Sequence, residues 1–91
     1  MKKTVITVLG KDQVGIIAGV CNYLAENSVN ILDLSQTIMD GIFNMVMIVD
    51  ISTSPVPFTQ LAEGLAKIGE EKLGVQIKMQ LEDIFEAMHR I

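Results

Sequence analysis

The segment from residue 10 to residue 16 has the composition of a small loop that could bind an anion. It reads Gly10-Lys11-Asp12-Gln13-Val14-Gly15-Ile16 and joins a β-branched run to a segment of helical periodicity. Gly10 permits a positive φ, Asp12 is a favoured N-cap, and Gly15 lets a ligand approach the backbone closely. Free N–H groups at a helix start can bind a carboxylate or a phosphate. The same residues also fit an ordinary capped helix with a packing glycine, and both interpretations remain open.

Asn30 is a second candidate for contact with a ligand. We expect it at the start of the second strand, at the same end of the sheet as the start of the first helix. Its side-chain amide could bond an amino or a carboxylate group there. Taken alone, an asparagine at this position also fits a turn residue.

Other residues that could support catalysis or metal binding have structural explanations. Asp33 and Asp50 could form an acid–base pair, but such a pair needs a cleft, and we expect carboxylates on the back of a sheet to be solvated. His89 is the single histidine and lies near a helix C-terminus, where a cation complements the dipole. Cys21 lies on an apolar stripe and is expected to be a buried, inert thiol. We therefore predict no catalytic residue, no metal site and no cofactor.

Length and charge restrict the class of protein. A chain of 91 residues fits one domain, residues 1–91, and leaves no room for a second core. The net charge of −4 and the scattered lysines argue against nucleic acid as a partner. Because a domain this small has a thin core, self-association would add buried apolar area.

Cysteine use and hydropathy favour a cytoplasmic protein. Cys21 is the only cysteine, so neither an intrachain disulfide nor a paired-cysteine metal clamp can form. The apolar run over residues 5–9 is too short for a secretory signal and is stopped by Gly10-Lys11-Asp12. No segment of the sequence approaches the roughly 20 apolar residues that a membrane span requires.

The elements that must position the loop follow from the hydrophobic pattern. Residues 5–9 are apolar without alternation, which is typical of a central strand covered on both faces. From Val14 the period becomes helical, and Asn27-Ser28 ends this first helix. A second amphipathic helix begins at Phe58, and residues 75–81 then alternate as a strand covered on one face.

Asp40-Gly41 separates two strand-like runs, residues 29–39 and 42–51, and is a strong hairpin signal. A two-residue turn pairs Met39 with Ile42 and Leu34 with Met47. The alternation then predicts a core face, interrupted by Gln36, and a mixed face. The core face should hold Leu32, Leu34, Ile38, Phe43, Met45, Met47, Val49 and Ile51. The mixed face should hold Ile31, Asp33, Ser35, Thr37, Asn44, Val46, Ile48 and Asp50.

The order of these elements predicts an α+β fold, the ferredoxin-like βαββαβ two-layer sandwich. Right-handed crossovers put both helices on one face of an antiparallel sheet of order 4-1-3-2. A short C-terminal helix should follow, with an apolar stripe that covers the mixed face near Val46 and Ile48, or does so across a dimer. The stripe consists of Ile84, Phe85, Met88 and Ile91.

Four short segments carry a resemblance to a known family. They are Gly-x-Asp-x-x-Gly-Ile between strand and helix, Val29-Asn30-Ile31 opening the next strand, Ser35-Gln36-Thr37 within it, and the tail Ile84-Phe85-Glu86-Ala87-Met88. Together with the element order, they make the chain similar to ACT domains over nearly its whole length. It particularly resembles the small stand-alone ACT proteins and the modules of the glycine-cleavage regulator type.

The resemblance implies a regulatory, non-catalytic domain that binds a small amino acid and forms a homodimer. Its ligand would lie between the loop and a neighbouring subunit, and an unidentified protein partner would respond to it. Helix N–H groups suit the ligand's carboxylate, and Asp12 suits its ammonium group. Position by position, the loop side would consist of Gly10, Lys11, Asp12, Gln13, Val14, Gly15 and Ile16, and the strand side of Asn30 and Ile31.

A second interpretation stays open, namely a dimerising protein-interaction module without a ligand. An enzyme is disfavoured, because acylphosphatases of this fold need an arginine in an N-terminal loop and the single arginine here is Arg90. Heavy-metal chaperones need paired cysteines in the same loop. RNA-recognition domains need aromatic residues on the central strands, and the aromatic residue there, Phe43, is expected on the core face instead. Fold analogy alone supports none of these activities.

Overall fold

The computed structural model describes residues 2–81, which follow the predicted βαββαβ order. The elements are β1 (Lys3–Lys11), α1 (Ile16–Glu26), β2 (Asn30–Met39), β3 (Ile42–Asp50), α2 (Phe58–Ile68) and β4 (Val75–Leu81), with a π-helical turn (Gly69–Leu73) extending α2. The strands form an antiparallel sheet of order β2-β3-β1-β4, which is the predicted order read from the other edge. The α+β, ferredoxin-like prediction is confirmed. The predicted C-terminal helix and His89 lie outside the described residues.

The hairpin between β2 and β3 has the predicted register. Met39 pairs with Ile42, and Leu34 pairs with Met47. Both turn residues have positive φ, 52° at Asp40 and 76° at Gly41, as a type I′ turn requires. The two turn residues therefore determine which side chains face each other across the strands.

A bulge near the start of β2 changes the predicted faces. The register shifts between Ile31 and Asp33, which leaves Leu32 as an extra residue, and Ile31 pairs with the buried Val49. Residues directly opposite each other point to the same face. The placement of Ile31 on the mixed face is therefore wrong, and Leu32, expected in the core, is 39% exposed.

β2 is also far more exposed than the alternation predicted. All ten of its residues are exposed, including Leu34 and Ile38, which we expected in the core. The reason is its place at the edge of the sheet, since the strand residues of the core lie on β1, β3 and β4.

Both helices pack on the same face of the sheet, as predicted. β1 lies between β3 and β4, which confirms the central position expected for residues 5–9. The expectation that both of its faces are covered is wrong at Leu9, which is 48% exposed. On β3 the predicted core residues Phe43, Met45, Met47 and Val49 are buried. The described core consists of Ile6, Val8, Ile16, Val20, Leu24, Val29, Phe43, Met45, Met47, Val49, Ile51, Leu61, Leu65, Val75 and Ile77.

Val75, the first residue of β4, is packed between two glycines. A Cβ on Gly10 would lie 2.7 Å from Val75 Cγ1, and a Cβ on Gly69 would lie 2.7 Å from the Val75 carbonyl oxygen. Gly10 belongs to β1, pairs with Val75 and has no positive φ, so its predicted role as a strand-ending residue with positive φ is wrong. Its missing side chain instead lets β1 and β4 approach closely.

Asp50, at the end of β3, is buried rather than solvated as predicted. Its Oδ1 accepts hydrogen bonds from Ser52 Oγ at 2.7 Å, from the Ser52 N–H at 3.0 Å and from the Lys2 N–H at 3.0 Å. These donors, the Ser52 hydroxyl foremost, hold the pKa of Asp50 below its ordinary value of 3.8. The carboxylate thus joins the start of the chain to the loop after β3.

We expect Asp50 to make the stability pH-dependent in acid. Because folding lowers its pKa, its contribution is complete above the unfolded-state pKa and is lost as the pH falls through the folded-state pKa. Urea denaturation between about pH 5 and pH 2 should show a smaller fall in unfolding free energy for Asp50→Asn than for the native chain. Ser52→Ala, which removes the foremost donor, should reduce the fall in the same direction. An unchanged fall in Asp50→Asn would assign the acid sensitivity to other carboxylates.

Candidate ligand-binding site

The predicted loop follows β1 and is held between two neighbouring turns. The Asp12 N–H donates to the Gly41 carbonyl oxygen in the hairpin turn at 2.8 Å. On its other side, Gln13 Nε2 lies beside Gly74, because a Cβ on that glycine would be 3.2 Å from it. The loop therefore sits at the end of the sheet where the hairpin turns and β4 begins.

Gly15, and not Asp12, is the N-cap of α1. The helix begins at Ile16, Gly15 has a φ of 92°, and no side chain caps the helix. The prediction that Asp12 caps it is wrong, because the chain needs three further residues to turn from the hairpin contact into the helix. A Cβ on Gly15 would meet no atom within 4 Å, so the space above the helix start is open.

The first turn of α1 carries backbone donors that precede the helical ladder. The Gly19 N–H donates to the Gly15 carbonyl oxygen at 2.9 Å, which is the first bond of that ladder. The N–H groups of Ile16, Ile17 and Ala18 come before it and lie at the positive end of the helix dipole. No side chain caps the helix, so no capping group competes with an acidic ligand for these donors.

A groove of about 220 Å³ lies between this helix start and the hairpin. Four of the predicted site residues line it, namely Asp12, Gln13, Gly15 and Ile16. The other lining residues are Ile17, Ala18, Gln36, Ile38 and Phe43. The groove thus has one wall from the loop and α1 and another from the hairpin strands.

Sequence reasoning missed the hairpin side of this groove. Gln36 had a signal, because it is the polar residue that interrupts the predicted core face of β2. It pairs with the buried Met45, so it points to the helix side of the sheet. No sequence feature predicted that Ile38 and Phe43 line the groove, since an apolar residue on a core face predicts only packing.

Three residues of the predicted loop side do not line the groove. Gly10 lies within β1 against Val75, and Lys11 ends β1 opposite Ile42 as an exposed residue. Val14 is fully exposed at the tip of the loop.

Asn30 and Ile31 lie at the other end of the same subunit. Asn30 pairs with Asp50, which also pairs with Lys3 at the start of β1, whereas the loop follows the end of β1. β2 has ten residues and so spans roughly 30 Å at about 3.3 Å per residue. The prediction that Asn30 shares an end with the helix start is wrong. Since β1 and β2 both run antiparallel to β3, β2 starts where β1 starts.

The titratable side chains of the described residues have ordinary structural surroundings. Asp33 is exposed, as predicted, and its Oδ1 accepts the Leu34 N–H at 2.8 Å. Burial raises the pKa of the Cys21 thiol and of the Tyr23 phenol, and both side chains pack partly buried against the core, away from the groove. Within residues 2–81, no group of three or more His, Cys, Asp or Glu side chains could hold a metal ion. In the same range, every helix falls short of the length and apolar character needed to cross a membrane.

Larger cavities also lie elsewhere among the residues that the structure describes. One of about 560 Å³ follows β4, and one of about 280 Å³ lies on the open face of the sheet beside Leu9 and Met39. Volume therefore does not single out the predicted site. Its distinguishing feature is the set of N–H groups at the start of α1.

The chain matches a known family over nearly its whole length. The ACT domain family profile matches residues 2–80, so the chain belongs to the ACT domain family. Within that family it is similar to the UPF0237 proteins. The UPF0237 protein of Methanocaldococcus jannaschii is 56% identical over 91 residues, which cover 100% of both chains.

Solved structures agree with this assignment. An ACT domain protein from Streptococcus pneumoniae has a TM-score of 0.80 and 44% identity, covering 96% of this chain and 97% of that one. A putative glycine cleavage system transcriptional repressor shares the fold, with a TM-score of 0.72 and 23% identity over 87% of this chain and 44% of its own. The resemblance to stand-alone ACT proteins is confirmed, and domains of this family are typically regulatory ligand-binding modules.

Proposed function

We propose that this chain is a non-catalytic regulatory domain, spanning residues 1–91, that binds a small amino acid as a cytoplasmic homodimer. The observation that carries the proposal is the uncapped start of α1, whose residues line a groove that also contains Asp12. Binding of the amino acid would change this dimer, and a protein partner would respond to that change.

The groove has complementary groups for both ends of an amino acid. The N–H groups of Ile16, Ile17 and Ala18 suit the carboxylate, since they lie at the positive end of the α1 dipole. The Asp12 carboxylate suits the ammonium group. Ile38 and Phe43 provide an apolar wall, which favours a ligand with a small apolar side chain.

Dimerisation through β2 would bring the two predicted halves of the site together. β2 is an edge strand, all of it is exposed, and it carries apolar residues along its length. Two β2 strands that pair antiparallel run in opposite directions, so Asn30 of the partner subunit and Ile31 of the partner subunit would lie beside the end of β2 that contains Ile38, which lines the groove. The residues that one subunit keeps apart would meet across the interface.

The second candidate function is a dimerising interaction module without a ligand. The exposed apolar side chains of Met39, Ile42 and Val46 favour it, because they offer a protein-binding surface near the hairpin independent of the groove.

A thermal-shift screen against the common amino acids at millimolar concentration tests the proposal. A ligand at about 100 times its dissociation constant should stabilise the native chain by about 2.7 kcal/mol, which raises the Tm by several degrees. Gly15→Val should abolish this rise, because the side chain would occupy the open space above the helix start. Sedimentation should still give a dimer for the variant.

Gly41→Val is the matched control for this screen. Gly41 also has a positive φ, 76°, and a Cβ on it would also meet no atom within 4 Å, but it does not line the groove. Both variants should lose stability from backbone strain, and only Gly15→Val should lose the response to the ligand. No shift with any amino acid would favour the ligand-free module, and an equal response in both variants would refute the site.

A further inference from the structure

β4 forms the second edge of the sheet and borders a cavity. Within the described range it pairs with β1 on one side and with no strand on the other. A cavity of about 560 Å³ follows the free side, and we call it the β4 trough. It is lined by Val75, Gln76, Ile77 and Lys78 of the strand, by Gly74 just before it, and by Ala66 and Glu70 of α2 and its π-helical turn.

The trough has the dimensions and the walls of a strand-binding groove. The first four residues of an edge strand line it, which corresponds to roughly 13 Å of extended chain. Val75 and Ile77 form an apolar floor that faces the helices and is 5% and 6% exposed. The opposite wall contains Ala66, whose small side chain leaves room between β4 and the helix for the side chains of an added strand.

We propose that the β4 trough binds an extended peptide segment of a partner protein, which adds to β4 as an antiparallel strand. A row of strand N–H and C=O groups is complemented by another strand. Alternate side chains of that segment would point to the helix wall, near Glu70, and to the open face, near Lys78. A basic side chain on the first side and an acidic one on the second would complement both charges.

The charges argue against a second copy of this chain as the occupant. Full antiparallel overlap of two β4 strands puts Lys78 directly opposite Lys78 of the partner subunit, and like charges in that position are destabilising. The homodimer proposed above uses β2, the other edge of the sheet, and leaves the trough free. The peptide proposal therefore stands independently of the amino-acid site.

An NMR titration of the full chain with two capped peptides tests the proposal. The first peptide, Thr-Val-Glu-Val-Thr-Lys-Val, places its glutamate opposite Lys78 and its lysine toward Glu70. The second exchanges the glutamate and the lysine. We expect saturable shifts of the backbone amides of residues 74–78 with the first peptide and a dissociation constant about threefold to tenfold higher for the second.

Charge exchange on the protein should reverse this preference. The double variant Glu70→Lys with Lys78→Glu should bind the second peptide more tightly than the first, and its fold should persist because both side chains are exposed. Glu63→Lys with Lys67→Glu, an exposed pair on α2 outside the trough, is the matched control and should keep the native preference.

Three results would overturn the proposal. The first is the absence of saturable shifts with either peptide at millimolar concentration. The second is a preference that the Glu70/Lys78 exchange leaves unchanged, which would place binding elsewhere. The third is a change of sedimentation mass on Lys78→Glu alone, which would assign the trough to a second copy of the chain.

Discussion

Replacing Leu65 with alanine should lower the free energy of unfolding by about 2–5 kcal/mol. Leu65 is fully buried on the sheet-facing side of α2 and belongs to the core shared with β1, β3 and β4. Truncation removes apolar contacts and leaves a cavity that a close-packed interior fills only in part. Small domains have total stabilities of about 5–15 kcal/mol, so this variant should be close to unfolding at room temperature.

Urea denaturation followed by circular dichroism measures this loss, and Leu9→Ala is the matched control. Leu9 is 48% exposed at the loop end of β1, so the same truncation there should change the unfolding free energy by less than about 0.5 kcal/mol. Similar losses in the two variants would contradict the position of the core that the structure assigns.

Gly10→Ala should lower the unfolding free energy by about 1–3 kcal/mol through overpacking. The new Cβ would lie 2.7 Å from Val75 Cγ1 and 2.9 Å from Val75 Cα, and the second of these is a backbone atom that cannot rotate away. For a domain of this size each kcal/mol corresponds to a fall in Tm of about 4–8 °C.

A double-mutant cycle with Val75→Ala shows whether this contact causes the loss. Truncating Val75 removes Cγ1, so the two substitutions together should cost less than the sum of their separate effects. Strictly additive losses would contradict the packing role given to Gly10. Because that role is structural, Gly10→Ala should lower stability equally with and without a bound amino acid.

The fold was predictable because its signals are local. Asp40-Gly41 accepts two positive φ angles, which fixed the β2–β3 register, and the alternation of β3 correctly identified Phe43, Met45 and Met47 as core residues. The helical periodicity that begins at Val14 and at Phe58 identified both helices. Each of these patterns is contained within about ten residues.

The errors arose where a distant contact overrides the local pattern. The Asp12 N–H bonds to Gly41, which shifts the helix start to Ile16. Gly10 looks like a strand breaker. A glycine is needed there, however, because Val75, much later in the sequence, packs against it. The bulge at Leu32 has no glycine or proline to mark it, so alternation alone misassigned the faces.

Two other errors could have been avoided from the sequence itself. The position of Asn30 follows from the predicted strand order, because two strands that flank a common antiparallel neighbour run in the same direction. The spacing of Asp50 and Ser52 is that of a carboxylate accepting a hydrogen bond from the backbone two residues on. Recognising it would have predicted a tied carboxylate instead of a solvated one.

The central position of β1 also has a consequence for how the chain folds during synthesis. Thr4 of β1 pairs with Leu81 of β4. β1 is synthesised first, but it can pair with β4 only after β4 has left the ribosome. The β2–β3 hairpin is local and can form within microseconds. The pairings of β1 are long-range, which makes closure of the sheet the slow step of folding and places it on the millisecond scale or beyond. Until then β1 is an exposed apolar edge, and the nascent chain is at its greatest risk of aggregation.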